Sequence, residues 1–109
     1  MTDTIIHVGD DGTVFELTIL DTKKKPINVS TASLRVIHFM KPDRTRVTKT
    51  ATLTTNGVDG KIQYKSVAGD IDMAGEWIMQ GFVKFSDGNG FFSEKTEFPV
   101  HTNIAPVDE

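Results

Sequence analysis

The chain has 109 residues and a formal net charge of −3 at pH 7, and it contains no cysteine. This length suits a single domain with one hydrophobic core, and the missing thiols exclude disulfides and thiolate metal sites. The acidic balance argues against a nucleic-acid partner, because nucleic-acid-binding domains usually carry a strongly basic face. The one lysine cluster, Lys23-Lys24-Lys25 before Pro26, is typical of a solvated turn.

Segments that direct a protein to or across a membrane are not predicted either. No apolar run approaches the roughly 20 residues that a membrane-spanning helix requires. The N-terminal region, with Asp3, lacks the basic and long apolar regions of a signal peptide. We therefore expect no membrane partner, and we expect synthesis in the cytoplasm without secretion.

Apolar and polar residues alternate along the first part of the chain, which is the pattern of half-buried β-strands. Residues 4–8 form a short β-prone segment, and a turn rich in glycine and aspartate follows at residues 9–12. The next segment, residues 13–20, is predicted to be a strand that buries Phe15 and Leu17 in the core.

Residues 33–40 form the most β-prone segment and carry apolar side chains on both faces. We predict that Leu34 and Val36 point into the core. Ile37 and Phe39 then lie on the opposite face, where a partner protein is expected to cover them. Ile37 and Phe39 are therefore predicted interface residues.

Turn signals divide the middle of the chain into a hairpin. Lys41-Pro42-Asp43-Arg44 is a predicted turn with proline where its fixed φ fits, and residues 46–53 alternate as a strand. Asn56-Gly57 and Asp59-Gly60 are strong turn signals. We therefore expect this strand to pair with a strand at residues 61–66.

The sole tryptophan follows a corner at residues 70–76. It lies near the start of a long predicted strand, residues 76–86, that alternates and buries Trp77 and Val83. A tight corner that delivers a large aromatic residue into the core is typical of immunoglobulin-like sandwiches.

Asp87-Gly88-Asn89-Gly90 is the clearest hairpin signal in the chain. It leads into a last predicted strand over residues 91–100. Strict alternation places Phe92 and Phe98 toward the core and leaves Phe91 facing outward. Phe91 is therefore a further predicted interface residue.

These segments amount to about seven or eight strands with minimal helix, which predicts an all-β, immunoglobulin-like two-sheet sandwich. Residues 1–109 are predicted to form one domain, with its core at about residues 5–100. Residues 101–109 are expected to be a mobile or partner-docked tail, and Ile104 within it is the last interface candidate.

No catalytic residue, cofactor or metal site is predicted. The three histidines, His7, His38 and His101, lie on separate elements without metal-ligand spacing, and no Gly-x-Ser-x-Gly elbow occurs. The glycine-rich segments are hairpin turns and do not precede helices, as phosphate-binding loops do. Aspartates cluster at turns, where this residue type is common. We therefore expect a protein that is not an enzyme.

Four motifs follow one another in a fixed order. They are Pro26-Ile27-Asn28-Val29-Ser30-Thr31-Ala32, Met40-Lys41-Pro42-Asp43-Arg44-Thr45, Gly69-Asp70-Ile71-Asp72-Met73-Ala74-Gly75-Glu76-Trp77 and Phe92-Ser93-Glu94. Their order resembles the immunoglobulin-like N-terminal domain of phage baseplate upper proteins and related small phage tail proteins. The resemblance spans nearly the whole chain and departs at Arg44, where the turn of that family usually has glycine.

The resemblance implies a structural protein of a phage virion, a baseplate or tail component that acts as an assembly or attachment module. It implies other virion proteins as partners, a second copy of the chain as a further partner, and the virion as the location. Two alternatives stay open at this point. One is a capsid decoration protein, and the other is an immunoglobulin-like module that binds carbohydrate or a host surface.

Overall fold

The computed structural model describes residues 6–101, and these contain nine β-strands and no helix. The strands are β1 (Ile6–His7), β2 (Val14–Thr18), β3 (Leu34–Met40), β4 (Arg46–Thr50), β5 (Thr52–Leu53), β6 (Lys61–Lys65), β7 (Gly75–Lys84), β8 (Gly90–Phe92) and β9 (Thr96–His101). The all-β prediction is confirmed. Ile104, one of the predicted interface residues, lies outside the described residues.

The strands form a sandwich of two sheets. The larger sheet has the order β1-β9-β7-β3-β4, with β8 also paired to β7, and the smaller sheet has the order β2-β6-β5. All pairs are antiparallel except β1 with β9. This arrangement is consistent with the predicted immunoglobulin-like sandwich.

Two predicted strands each appear as two in the structure. The segment at residues 46–53 breaks at Ala51, where the chain leaves the larger sheet and joins the smaller one. Ala51 is buried, and its amide still donates to the Arg35 carbonyl at 2.8 Å. The segment at residues 91–100 breaks between β8 and β9, where a β-bulge described below interrupts its pairing with β7.

The core between the sheets contains most of the residues predicted for it. Phe15, Leu17, Trp77, Val83 and Phe98 all belong to the buried cluster, which confirms those five predictions. The Phe15 ring lies 5.1 Å from the ring of Phe98, and these rings come from opposite sheets. Burial of each such side chain contributes about 1.5–3 kcal/mol to folding.

The corner before β7 holds the tryptophan in place. The Trp77 Nε1–H group donates to the Met73 carbonyl at 3.0 Å, four residues upstream, so the buried indole has a partner for its polar atom. Gly75 in this corner has a φ of 129°, and a Cβ there would lie 2.7 Å from Cγ of Pro42. Only glycine fits this position, because both the backbone conformation and Pro42 exclude a side chain.

The face assignment of β3 was wrong. Ile37 and Phe39 are 0% and 5% exposed and belong to the core, whereas Leu34 is 43% exposed. Val36 is buried, but it lies outside the core cluster, on the face that also carries Leu34. Both faces of this strand are apolar, so alternation groups the residues correctly without saying which group points inward.

The charged side chain of Arg35 lies on the same face of β3 as Ile37 and Phe39. Arg35 lies at the start of β3, where its Nη1 group donates to the carbonyls of Val29 at 3.3 Å and Ala32 at 3.1 Å. The side chain therefore follows the inner edge of the sandwich and binds loop carbonyls. A charged residue thus shares the inward face with two core residues.

The orientation of the last hairpin was also wrong. Phe91 packs against the core, whereas Phe92 is 58% exposed. Between the pair Met79–Thr96 and the pair Phe82–Phe92, β7 has two residues and the partner strand has three. This one-residue β-bulge shifts the alternation, so Phe92 and Phe98 point to opposite faces.

Candidate functional site

The outer face of the larger sheet, turned away from the smaller sheet, carries an apolar patch of Leu34, Val36, Phe82 and Phe92. Val36 and Phe82 are register partners on β3 and β7, and Phe82 and Phe92 are partners on β7 and β8. The rings of Phe82 and Phe92 stack with centroids 4.5 Å apart. A row of apolar side chains therefore crosses three neighbouring strands.

The backbone beside the patch leaves room for its aromatic rings. A Cβ at Gly90 would lie 2.9 Å from ring atoms of Phe82, so the ring rests where Gly90 has no side chain. On the opposite side of β7, a Cβ at Gly81 would meet Ile62 and Leu17 of the smaller sheet at 3.1 and 3.3 Å. Gly81 thus faces inward, and its neighbour Phe82 faces outward.

A shallow groove of about 470 Å³ lies on the same outer face. Its floor includes the register pairs His38–Gln80 and Met40–Ile78. Arg46 also lines it, and the chain contributes Lys95 from the bulge. The patch and the groove together give this face apolar side chains and two cations.

A second cavity lies between the two sheets at the end closed by the corner, and we call it the inter-sheet cavity. It has a volume of about 170 Å³. The residues that line it are Phe15, Phe39, Lys41, Val47, Lys49, Tyr64, Ser66, Gly69, Asp70, Ile71 and Trp77. Its floor is aromatic, and its rim carries charged and polar groups.

The charged groups on the rim of the inter-sheet cavity form two ion pairs. Lys41 Nζ lies 2.9 Å from Asp72 and 5.8 Å from the centre of the Trp77 ring. Lys49 Nζ lies 3.1 Å from Asp70 and 5.9 Å from the centre of the Tyr64 ring. Each ammonium therefore has a carboxylate partner and an aromatic face.

Asp70 joins the corner to the smaller sheet. Its Oδ2 atom accepts hydrogen bonds from the Tyr64 hydroxyl at 2.5 Å and the Val67 amide at 2.8 Å. Burial raises the pKa of Asp70, but these bonds and the Lys49 charge outweigh burial and hold the pKa below 3.8. Burial, aided by Asp70, raises the pKa of Tyr64 to about 12.

The structure does not bring the predicted interface residues together on one surface. Ile37 and Phe39 are core residues, and Phe91 packs against the core. Leu34 and Phe92, which had been predicted to be buried, are instead among the exposed apolar residues. The motif Phe92-Ser93-Glu94 contains the bulge that reverses the faces, but no turn residue there marks it in the sequence.

Comparisons with known proteins assign the chain to no family, and its described residues form no metal site. No protein-family model matches the chain, and no curated protein sequence matches it. In the described part of the chain, no three histidine or acidic side chains are grouped so that they could hold a metal ion. The same residues include no helix that is long and apolar enough to cross a bilayer.

Proposed function

We propose that this chain is a non-enzymatic structural protein of a phage virion, a baseplate or tail component that assembles through the outer face of its larger sheet. The apolar patch is the observation that carries this proposal. Phe92 and Leu34 are 58% and 43% exposed, and contiguous exposed apolar residues are typical of protein–protein contacts. The motif order described above supplies the virion context.

The patch is suited to rigid docking. Phe82 and Val36 lie on β7 and β3, two interior strands of the larger sheet with neighbours on both sides. A partner that covers Phe92 and Leu34 gains apolar burial at about 25 cal/mol per Å² with little ordering of backbone. The groove beside the patch adds Arg46 and Lys95, which favours an acidic partner at its rim.

The carbohydrate-binding alternative receives less support from the same contacts. Sugar-binding sites stack rings on exposed aromatic faces, and Trp77 is only 3% exposed, with its indole N–H bound to Met73. Trp77 therefore serves the core. The capsid-decoration alternative uses the same kind of surface, so only the position of the protein on the particle separates it from a tail component.

The test is incorporation of the protein into particles of the phage that encodes it. Phe92→Asp is introduced into the phage genome, with Val14→Asp as the matched control, because Val14 is a 52% exposed strand residue on the smaller sheet. We expect purified particles to contain the wild-type and Val14→Asp proteins and to lack Phe92→Asp. Circular dichroism of each purified variant checks that the fold is retained.

Two results would overturn the proposal. If the wild-type protein is missing from purified particles, the chain is not a virion component. If Phe92→Asp is folded and incorporated as well as wild type, the outer face is not the assembly surface. Immunogold labelling then locates the protein: gold on the tail supports the baseplate or tail role, and gold on the head replaces it with capsid decoration.

A further inference from the structure

We propose that the inter-sheet cavity is a binding site for an uncharged aromatic six-membered ring whose substituent carries a hydroxyl or carbonyl group. This inference is independent of the outer face and of the virion role. It depends on the size of the cavity, the chemistry of its floor and the pairing of charges on its rim.

The size of the cavity matches one ring. Its volume is about 170 Å³, and an engineered apolar cavity of about 150 Å³ in another protein binds benzene. A larger ligand such as a disaccharide does not fit this volume. A single ion or water leaves most of it empty, and the apolar floor offers such a species few partners.

The floor of the cavity consists of aromatic and aliphatic side chains that are already fixed by the core. Phe15, Phe39 and Trp77 are 5%, 5% and 3% exposed, and the rings of Phe15 and Phe39 meet edge to face at 5.1 Å. Ile71 of the corner is 3% exposed and closes one wall. A ring that enters meets edges and faces in the arrangements that aromatic pairs prefer.

The rim explains why the cavity is not filled by the chain itself. The ammonium groups of Lys41 and Lys49 are held at the rim by Asp72 and Asp70, so neither side chain folds into the cavity. Gly69 contributes no side chain to the lining. Asp70 ties the corner to Tyr64 and to the Val67 amide, so the corner stays open above the floor.

The same rim selects an uncharged ligand. Its two cations, Lys41 and Lys49, are each paired with a carboxylate, so the rim has no net charge to offer an ionic ligand. An anion would lie beside Asp70, and a cation would lie beside the two ammonium groups. Each ammonium has three N–H donors, so an uncharged hydroxyl or carbonyl oxygen finds a donor without displacing an ion pair.

The first experiment compares ligands that share one ring and differ in charge. The full chain, labelled with ¹⁵N, is titrated in separate experiments with benzyl alcohol, benzoate and benzylamine while amide chemical shifts are recorded. We expect saturable shifts at residues 66–71 and at Trp77 with benzyl alcohol, and affinity at least tenfold weaker for both charged ligands. N-acetyl-phenylalaninamide is the fourth probe and presents the same ring as a protein side chain.

The second experiment fills the cavity. Val47→Phe places a larger side chain on the cavity wall, and Val58→Phe makes the same change at a turn residue that is 56% exposed. We expect Val47→Phe to weaken benzyl alcohol binding at least tenfold and Val58→Phe to leave it unchanged. Nuclear Overhauser contacts from the bound ring to the Trp77 indole test the site in wild type, even if Val47→Phe does not fold.

The results distinguish two sources of the ring. Binding of benzyl alcohol with contacts to Trp77 supports a site for free small rings, and binding of N-acetyl-phenylalaninamide alone supports a site for an aromatic side chain of a partner. The proposal is overturned if no uncharged probe produces saturable shifts. It is equally overturned if the bound ring makes no contact with Trp77, or if the folded Val47→Phe variant binds as well as Val58→Phe.

Discussion

The Ser93 Oγ atom accepts the amide hydrogen of Gly81 at 2.8 Å across the bulge between β8 and β9. The same hydroxyl donates to the Glu94 carbonyl at 3.0 Å, and the Ser93 amide donates to the Gly81 carbonyl at 2.9 Å. Ser93 is 6% exposed, so this side chain replaces a ladder bond that the extra residue removes. One hydroxyl thus stabilises the register that exposes Phe92.

We expect Ser93→Ala to lower the free energy of unfolding by about 1–3 kcal/mol, because it leaves the buried Gly81 amide without an acceptor. Urea unfolding of the purified chain, followed by circular dichroism, measures the change. Ser86→Ala is the control, since Ser86 lies exposed in the preceding turn. A loss no larger for Ser93→Ala than for Ser86→Ala would show that the hydroxyl does not hold the bulge.

This bulge marks a limit of what alternation can predict. Period-two reasoning identified the segment at residues 91–100 as β-structure and placed Phe98 correctly in the core. It extended the same phase back to Phe92, six residues earlier, and one inserted residue reversed the result. A bulge without glycine or proline leaves no local sign in the sequence, because the serine that stabilises it cannot be told from any other strand serine.

The strand β3 shows a different limit. Alternation grouped its residues correctly into two faces. Which face is buried, however, depends on the strands and loops that cover each face. The sequence does not show that the charged Arg35 can share the inward face, because its Nη1 group donates to the carbonyls of Val29 and Ala32 in the loop before β3. By contrast, Trp77 could be placed from sequence, since its corner and its alternation agree.

The reversed face of β3 leads to a direct comparison of two aliphatic residues. We expect Ile37→Ala to cost about 2–5 kcal/mol of stability, because Ile37 is 0% exposed in the core. Leu34→Ala should cost less than about 1 kcal/mol, because Leu34 is 43% exposed. Urea unfolding of the two variants decides between the faces: the opposite order of costs would restore the assignment that we made from the sequence.

The two ion pairs on the rim of the inter-sheet cavity differ in how far water screens them. We expect Asp70→Asn to cost about 1.5–3 kcal/mol at pH 7, because it weakens hydrogen bonds to a charged acceptor that is only 15% exposed. Asp72→Asn should cost about 0–1 kcal/mol, since the Asp72 side chain is 45% exposed. Thermal unfolding at pH 7 tests both variants under identical conditions.

The effect of Asp70 has a defined dependence on pH. Its pKa is lower in the folded chain than the ordinary 3.8, so its stabilisation is complete above 3.8 and is lost as the pH falls through the folded-state pKa. The difference between wild type and Asp70→Asn should therefore shrink in acid. A difference that stays constant down to full protonation of Asp70 would contradict a role for its charge.

Tyr64 is the sole tyrosine, so its ionisation can be followed in the intact protein. Burial and Asp70 raise its pKa from 10.0 to about 12. The phenolate absorbance of the folded chain should therefore rise with a midpoint near 12, whereas the chain in urea should titrate near the ordinary value. A folded-state midpoint near 10.0 would mean that burial and Asp70 do not raise the pKa of the Tyr64 phenol.

The raised pKa also predicts how stability changes in alkali. A group whose folded-state pKa is raised contributes its full stabilisation below the unfolded pKa, here 10.0, and loses it as the pH rises toward about 12. Wild type should therefore lose more stability between pH 10 and pH 12 than Tyr64→Phe, which has no phenol to ionise. Lysine ionisation affects both proteins alike, so the difference between their unfolding midpoints isolates Tyr64. Parallel loss of stability in the two proteins would exclude Tyr64 as the source of that pH dependence.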